Sequence, residues 1–298
     1  MKKYINEILI ISAGIMWGTI GFFAKILTAY GFTSANSAIV RLAVAAVVLL
    51  IINRRHLKID IRDLWQFALL GCSIFGTVFA YFGAIKFTSI SVAAVLLYTA
   101  PMMVMLMSAA LYHERITKLK FAALAASFIG IMLVSGLGGN EKFGAKGIAL
   151  GLLSGFSYSM YSIIGKPVTK KYNAYTITTY AFIFAAALSL IFGNLPTFIS
   201  TVAKAHNKLL LILVFIATGA VTAGLPYMLY TLGLKNVPAG KAAVIASAEP
   251  LTAAVIGTAV FHESLTVLTA LGMILIICSV AALSLEPTIK QNGGFDNE

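Results

Sequence analysis

At 298 residues, with 60% hydrophobic and 11% charged side chains, the chain is far more apolar than an average soluble domain, which carries about 45–50% and 25%. A soluble globule of this size must present a polar exterior to water, so a soluble fold is excluded and an all-α integral membrane protein is expected. The net charge of +12 sits in short clusters between apolar runs (Arg54-Arg55, Arg115 to Lys120, Lys170-Lys171), the pattern of topogenic membrane loops rather than of a nucleic-acid surface.

A membrane-spanning helix needs about 20 apolar residues, and ten runs qualify. The first, about 6–28, follows Lys2-Lys3; it is too long for a signal-peptide core and lacks a cleavage site, so it is read as an uncleaved span. It carries Gly14 and Gly18 at a spacing that suits close helix packing, with Trp17 between them and Lys25 near its end. After the turn Gly31 to Ser34, span two (34–53) holds Arg41 near its start. Span three (63–85) contains Cys72 and Tyr81. Span four (89–112) contains Tyr98, Thr99 and Pro101 and ends on His113-Glu114; span five (117–137) stops at Gly138-Gly139-Asn140. Span six (146–166) has Gly147, Gly151 and Gly155 on one face, then Tyr158, Tyr161 and Lys166. Span seven (174–195) leads into 195–208, where a short interfacial helix is expected before span eight (208–233), which carries Tyr227 and Tyr230. Beyond Asn236-Val237-Pro238, span nine (238–261) contains Lys241, Ser247, Glu249 and Pro250 and ends on His262-Glu263. Span ten (266–285) holds Cys278, which with Cys72 is expected to be an unpaired core residue.

The chain repeats itself. A shift of 149 residues places Pro101 on Pro250, His113-Glu114 on His262-Glu263, Tyr81 on Tyr230 and Thr117 on Thr266; Lys25 and Lys166 align at 141. Ten spans therefore divide into two repeats of five, residues 1–140 and 141–286, followed by a polar cytoplasmic tail, 287–298. Five is odd, so the second copy enters the bilayer from the opposite side. The loop after the first His-Glu carries Arg115, Lys118 and Lys120 and its counterpart none, which puts both termini in the cytoplasm and makes the repeats inverted.

Trp17-Gly18, Arg41, Pro101 with Glu114, and Glu249-Pro250 with Glu263, set in two five-helix units, resemble the drug/metabolite transporter superfamily in its ten-helix EamA-type branch. The resemblance runs over about residues 8–285. It implies a carrier of small metabolites, often an amino-acid exporter, with a central cavity between the repeats, and it implies no single substrate.

Glu249 is the acidic residue placed deep in a predicted span, where an ionised carboxylate costs about 2.5–3.5 kcal/mol on insertion scales and so needs a partner or a wet cavity. It either binds a substrate amine or a coupling proton, or anchors the kink at Pro250 by bonding a group such as Ser247; the family pattern favours the structural role. Pro101 and Pro250 each free a carbonyl in the preceding turn, and kinks at equivalent repeat positions point to a transport site. That makes Tyr98, Thr99 and Ser247 candidate cavity walls. Arg41 could hold a carboxylate, though pairing within the bundle or snorkelling to the interface is the more ordinary role. Trp17, Tyr81, Tyr158, Tyr161, Tyr227 and Tyr230 complete the candidate cavity, since flat aromatic faces with one polar tip suit amphipathic solutes and equally suit plain packing. Lys25 and Lys166 read as interfacial anchors, and Lys241 as a vestibule residue or topogenic charge. Adjacent residues point away from each other on a helix, so the His-Glu pairs read as helix punctuation rather than metal or acid–base sites.

The expected function is secondary-active export of amino acids or related metabolites across the plasma or inner membrane by alternating access. Multidrug or organic-cation export is the alternative within transport. An integral membrane enzyme acting on lipids is the reading from another class, and no polar catalytic cluster supports it. No cofactor, metal or nucleic acid is expected, and the expected partners are a small-molecule substrate and membrane lipids. A monomer suffices because one chain holds both repeats; a homodimer stays open.

Overall fold

A computed structural model describes residues 4–55, 57–135 and 144–286. Nine helical stretches among them are long and apolar enough to cross a membrane. The tenth, Lys118–Val134, has 17 residues and packs along Val267–Leu285. The predicted end of span five at 137 and the tail 287–298 lie outside the described residues.

Span one is α1 (Ile5–Gly18) and α2 (Ile20–Ala29), span two α3 (Ser34–Asn53) and span three α4 (Leu64–Ile85). Span four is α5 (Ile90–Leu97) plus α6 (Ala100–Tyr112), and span five is α7 (Lys118–Val134). In the second half come α8 (Ala145–Lys171), α9 (Ala174–Phe192) and the short α10 (Leu195–Lys204). Span eight is α11 (Lys208–Gly219) and α12 (Leu225–Leu234), joined by a π-helical turn, Ala220–Gly224. Span nine is α13 (Ala239–Ile245) plus α14 (Ala248–Phe261), and α15 (Val267–Leu285) is span ten.

The caps follow the sequence. Thr33, Ser89, Thr117, Asn173 and Thr266 each accept a hydrogen bond from the backbone N–H three residues on, satisfying a donor that the first turn would otherwise orphan. His113 and His262 stop α6 and α14 in the left-handed conformation, φ 53° and 54°. The next residue in each case, Glu114 or Glu263, sends its N–H back to a carbonyl six residues earlier, Ser108 or Gly257.

The two halves pack in matching ways. Span three lies on span six as span eight lies on span one; span four lies on span six as span nine lies on span one; spans five and ten pair with each other. Apolar side chains such as Ile15, Val47, Phe79, Leu153, Ile191 and Leu271 are left exposed around the bundle, as a lipid-facing surface requires.

Three expectations need correction. Cys72 and Cys278 are free but exposed on the outer surface rather than in the core. Span six runs through Pro167 to Lys171 instead of ending at 166. The proline removes the donor to the Ile163 carbonyl, and the Tyr112 hydroxyl of α6 bonds that carbonyl instead, so the helix continues. Span seven ends at Phe192, and α10 stands apart, laying Phe198 and Val202 over Leu27, Phe32 and Val40.

Candidate functional site

Both proline kinks interrupt their spans. α5 gives way to α6 at Tyr98-Thr99, and α13 to α14 at Ala246-Ser247, one turn before Pro101 and Pro250 take effect. Each broken span is approached by a glycine of the other repeat. A Cβ on Gly14 would sit 2.9 Å from the Ala246 carbonyl oxygen, and one on Gly155 would sit 2.9 Å from that of Leu96 and 3.1 Å from that of Leu97. Only glycine allows this approach, and Ala246 and Leu97 are the carbonyls four residues before the prolines. The glycine seams thus press onto the loosened backbone.

Glu249 stands at this break in α14, only partly buried. Tyr98, from the matching break, stands beside its carboxylate. Arg41, Tyr81 and Tyr158 lie within electrostatic reach of it, each also partly exposed. These residues come from spans two, three, four, six and nine, so both repeats contribute to one mid-span cluster. Ser247 does not anchor Glu249: it is 2% exposed, and its Oγ has no hydrogen-bond partner among the described residues.

A second layer is packed shut. Trp17 is 2% exposed, with ring centroids 5.0 Å from Tyr227, 5.5 Å from Tyr230 and 6.1 Å from Tyr158. Tyr161 shares a hydrogen bond with Thr231 at 2.8 Å, and Tyr230 with Ser162 at 2.6 Å. Thr99 bonds its own helix at the Leu96 carbonyl, 2.7 Å. In this conformation Trp17, Tyr161, Tyr227 and Tyr230 are core rather than wall, because neighbouring side chains already cover them; Trp17 Nε1 has no hydrogen-bond partner among the described residues.

Arg41 pairs within the bundle. Its Nε and Nη2 donate to the Thr222 carbonyl at 3.2 and 2.9 Å. Thr222 lies four residues before Pro226, so this carbonyl too has lost its helical donor, and the π-helical turn surrounds it. Beside it opens a cavity lined by Arg41, Ser37, Thr218, Thr222 and the apolar Ala24 and Phe82. Thr222 lies at the middle of span eight, and the others lie in the halves of spans one, two, three and eight nearest the 30–33 turn.

The opposite face is sealed. Lys241 and Glu7 form an ion pair at 3.0 Å with side chains only 1% and 5% exposed, and Lys241 also donates to the Glu286 carbonyl at 2.6 Å. Lys241 is therefore neither a vestibule residue nor exposed topogenic charge. The Glu114 carboxylate accepts from the backbone N–H groups of Ala239 (2.8 Å) and Gly240 (3.3 Å). Lys166, expected as an interfacial anchor, instead caps the end of α12 by donating to the carbonyls of Leu234 and Val237 at 2.7 and 2.6 Å. Lys25 does remain exposed, paired with Glu263 at 3.1 Å. Sequence reasoning missed Glu7, Thr218 and Thr222. Pro226 was the usable sign for Thr222, because a proline inside an apolar span marks a free carbonyl four residues back.

The profile of the EamA-like transporter family matches residues 5–136 and again 145–285. An uncharacterized transporter of Archaeoglobus fulgidus is 32% identical over 71% of this chain and 74% of its own length. A second from the same organism is 25% identical over 94% and 98%, and the uncharacterized transporter YyaM of Bacillus subtilis 24% over 95% and 94%. A solved crystal structure at 17% identity superposes with a TM-score of 0.76, covering 95% of this chain and 98% of that one, which supports the fold.

Proposed function

Because the chain belongs to the EamA-like transporter family, we propose that this multi-pass membrane transporter is a secondary-active exporter of amino acids or related small zwitterions. It would sit in the cell membrane with both termini cytoplasmic and work by alternating access between its two repeats. The observation that carries the reading is that opposite charges from the two repeats stand within electrostatic reach of each other at mid-span, Arg41 from the first and Glu249 from the second, each partly exposed. A zwitterion answers both charges, and the tyrosines at 81, 98 and 158 give its side chain an apolar face with polar tips. Intramembrane charges are costly unless they serve such a path.

Organic-cation export is the second reading, supported by the same carboxylate standing among aromatic rings. Flux into liposomes holding the purified protein separates the two, using a panel of amino acids and cationic dyes with and without a pH gradient. Amino-acid flux is expected; dye flux without it replaces the first reading by the second, and headgroup chemistry with no solute flux removes both. Glu249→Gln is expected to abolish stimulation by the pH gradient, and full flux with unchanged pH dependence removes the coupling role.

A further inference from the structure

The cavity beside Arg41 has the parts of an anion subsite. Two of the guanidinium nitrogens are committed to the Thr222 carbonyl, while Nη1 carries no hydrogen bond among the described residues and the side chain stays partly exposed at the cavity wall. Thr218 lines the same cavity, is only 4% exposed, and its Oγ1 has no hydrogen-bond partner among the described residues. A buried hydroxyl left unpaired costs about 1–3 kcal/mol, so its retention beside a half-engaged arginine asks for an acceptor that is present only part of the time. The Thr222 carbonyl holds the arginine in place and sets the direction of its free edge. Phe82, Ala24 and Leu27 make the remaining wall apolar.

We infer that Arg41 Nη1 and Thr218 Oγ1 form a carboxylate subsite on the cavity side of the bundle, taking the acid end of an amphipathic substrate while its ammonium faces Glu249. This deepens the zwitterion reading and rests on it for the ammonium end alone. The test is binding to the detergent-purified protein by calorimetry, which needs no transport, with leucine and leucinamide as probes. The two share shape and ammonium and differ in the carboxylate. Leucine is expected to bind about tenfold more tightly than leucinamide, as a charge-assisted contact implies. Arg41→Gln should abolish that preference. Thr218→Val, which keeps the side-chain volume and the fold, should weaken leucine roughly fivefold, the worth of one hydrogen bond, and leave leucinamide unchanged. Equal binding of the two probes, binding of neither, or an equal effect of Thr218→Val on both overturns the subsite. Flux of amino acids in liposomes without this preference would leave the transporter reading standing and remove only the subsite.

The duplicated Lys and Glu residues carry a second inference, independent of the cavity. Glu114 and Lys166 close the sealed face, whereas their repeat counterparts Glu263 and Lys25 form an exposed ion pair with each other, the ammonium resting on the Phe261 ring. Shifted by 149, the N–H groups of Ala239 and Gly240 become those of Ile90 and Ser91, and the carbonyls of Leu234 and Val237 become those of Ile85 and Thr88. We propose that in the alternate conformation Glu263 caps Ile90 and Ser91, Lys25 covers the carbonyls of Ile85 and Thr88, and Glu114 with Lys166 let go. The proposal rests on alternating access. With Cys72→Ser and Cys278→Ser as background, the pair Glu263→Cys and Ile90→Cys is expected to cross-link on oxidation. Cross-linking should then expose a cysteine placed at Ala239 to a soluble thiol reagent. Absence of the cross-link, or a cross-link that leaves position 239 shielded, overturns the exchange; amino-acid flux measured separately reports on the transporter reading.

Discussion

The two faces of the bundle hold the same residues in different states. On one, Glu114 and Lys166 are sunk into the helix ends they cap, next to the buried Glu7–Lys241 pair. On the other, Glu263 and Lys25 meet at 3.1 Å with side chains 62% and 54% exposed. Residue type and spacing are the same, so burial alone separates them. A charge removed from water must be fully partnered or it destabilises the fold, whereas a solvated pair loses little when broken. The difference teaches where the molecule is fastened, and substitutions on the two faces should differ accordingly.

The largest effect belongs to Lys241. Lys241→Met removes the ammonium that pairs with Glu7 at 3.0 Å, and breaking a buried pair costs about 3–5 kcal/mol. The expected outcome is a large fall in the unfolding temperature of the detergent-solubilised protein, most of it recovered when Glu7→Gln is added. A double variant as unstable as the single would mean that Glu7 is reached by water, and the contrast between the faces would weaken. Next comes Glu114→Gln, which keeps the shape and removes the charge from two backbone hydrogen bonds. Bonds to charged groups contribute about 1.5–3 kcal/mol, so a smaller but clear loss is expected by the same measurement.

Much of this was legible in the sequence, and what was not has a physical reason. Apolar runs broken by turn and charge signals placed the spans to within a few residues, because a bilayer tolerates no unpaired backbone and so forces the helix length. The duplicated Pro and His-Glu elements located both kinks and both left-handed helix ends. Glu249, Tyr98, Tyr81, Tyr158 and Arg41 were all named from the sequence, and the fold brings them together. Ser247 was named as a partner of Glu249 and is not one, since a hydroxyl's direction depends on a kink whose angle no spacing records. Lys241 read as a vestibule residue or topogenic charge, and Glu7 was not singled out at all. Their burial depends on how spans one, nine and ten converge, and that is a property of packing. The difference between the faces, with Glu114 buried on one and Glu263 exposed on the other, is likewise absent from a sequence whose two halves are so nearly alike.

Tyr112 sharpens the account of the sealed face. Its hydroxyl bonds the Ile163 carbonyl that Pro167 leaves without a donor. Tyr112→Phe should cost about 1–3 kcal/mol by orphaning a buried acceptor. Pro167→Ala restores a helical N–H to that carbonyl, so Tyr112→Phe should cost much less in that background, and the two changes should be non-additive in a double-mutant cycle. Additive losses would show that the tyrosine acts through packing instead.

The smallest effect is expected at Glu263, and it is the most direct test of the contrast. Glu263→Gln breaks an exposed ion pair with Lys25, worth about 0–1 kcal/mol. Its unfolding temperature should therefore barely move, while its sequence counterpart Glu114→Gln shows a clear drop. Stability reports on the conformation in hand, whereas a transport cycle visits both. If the two faces exchange roles, Glu263→Gln should slow flux in liposomes despite its mild effect on unfolding, because the charge would be needed only when that face closes. A variant that leaves both stability and flux untouched would make Glu263 a plain surface residue, and the symmetry between the faces would then be one of sequence alone.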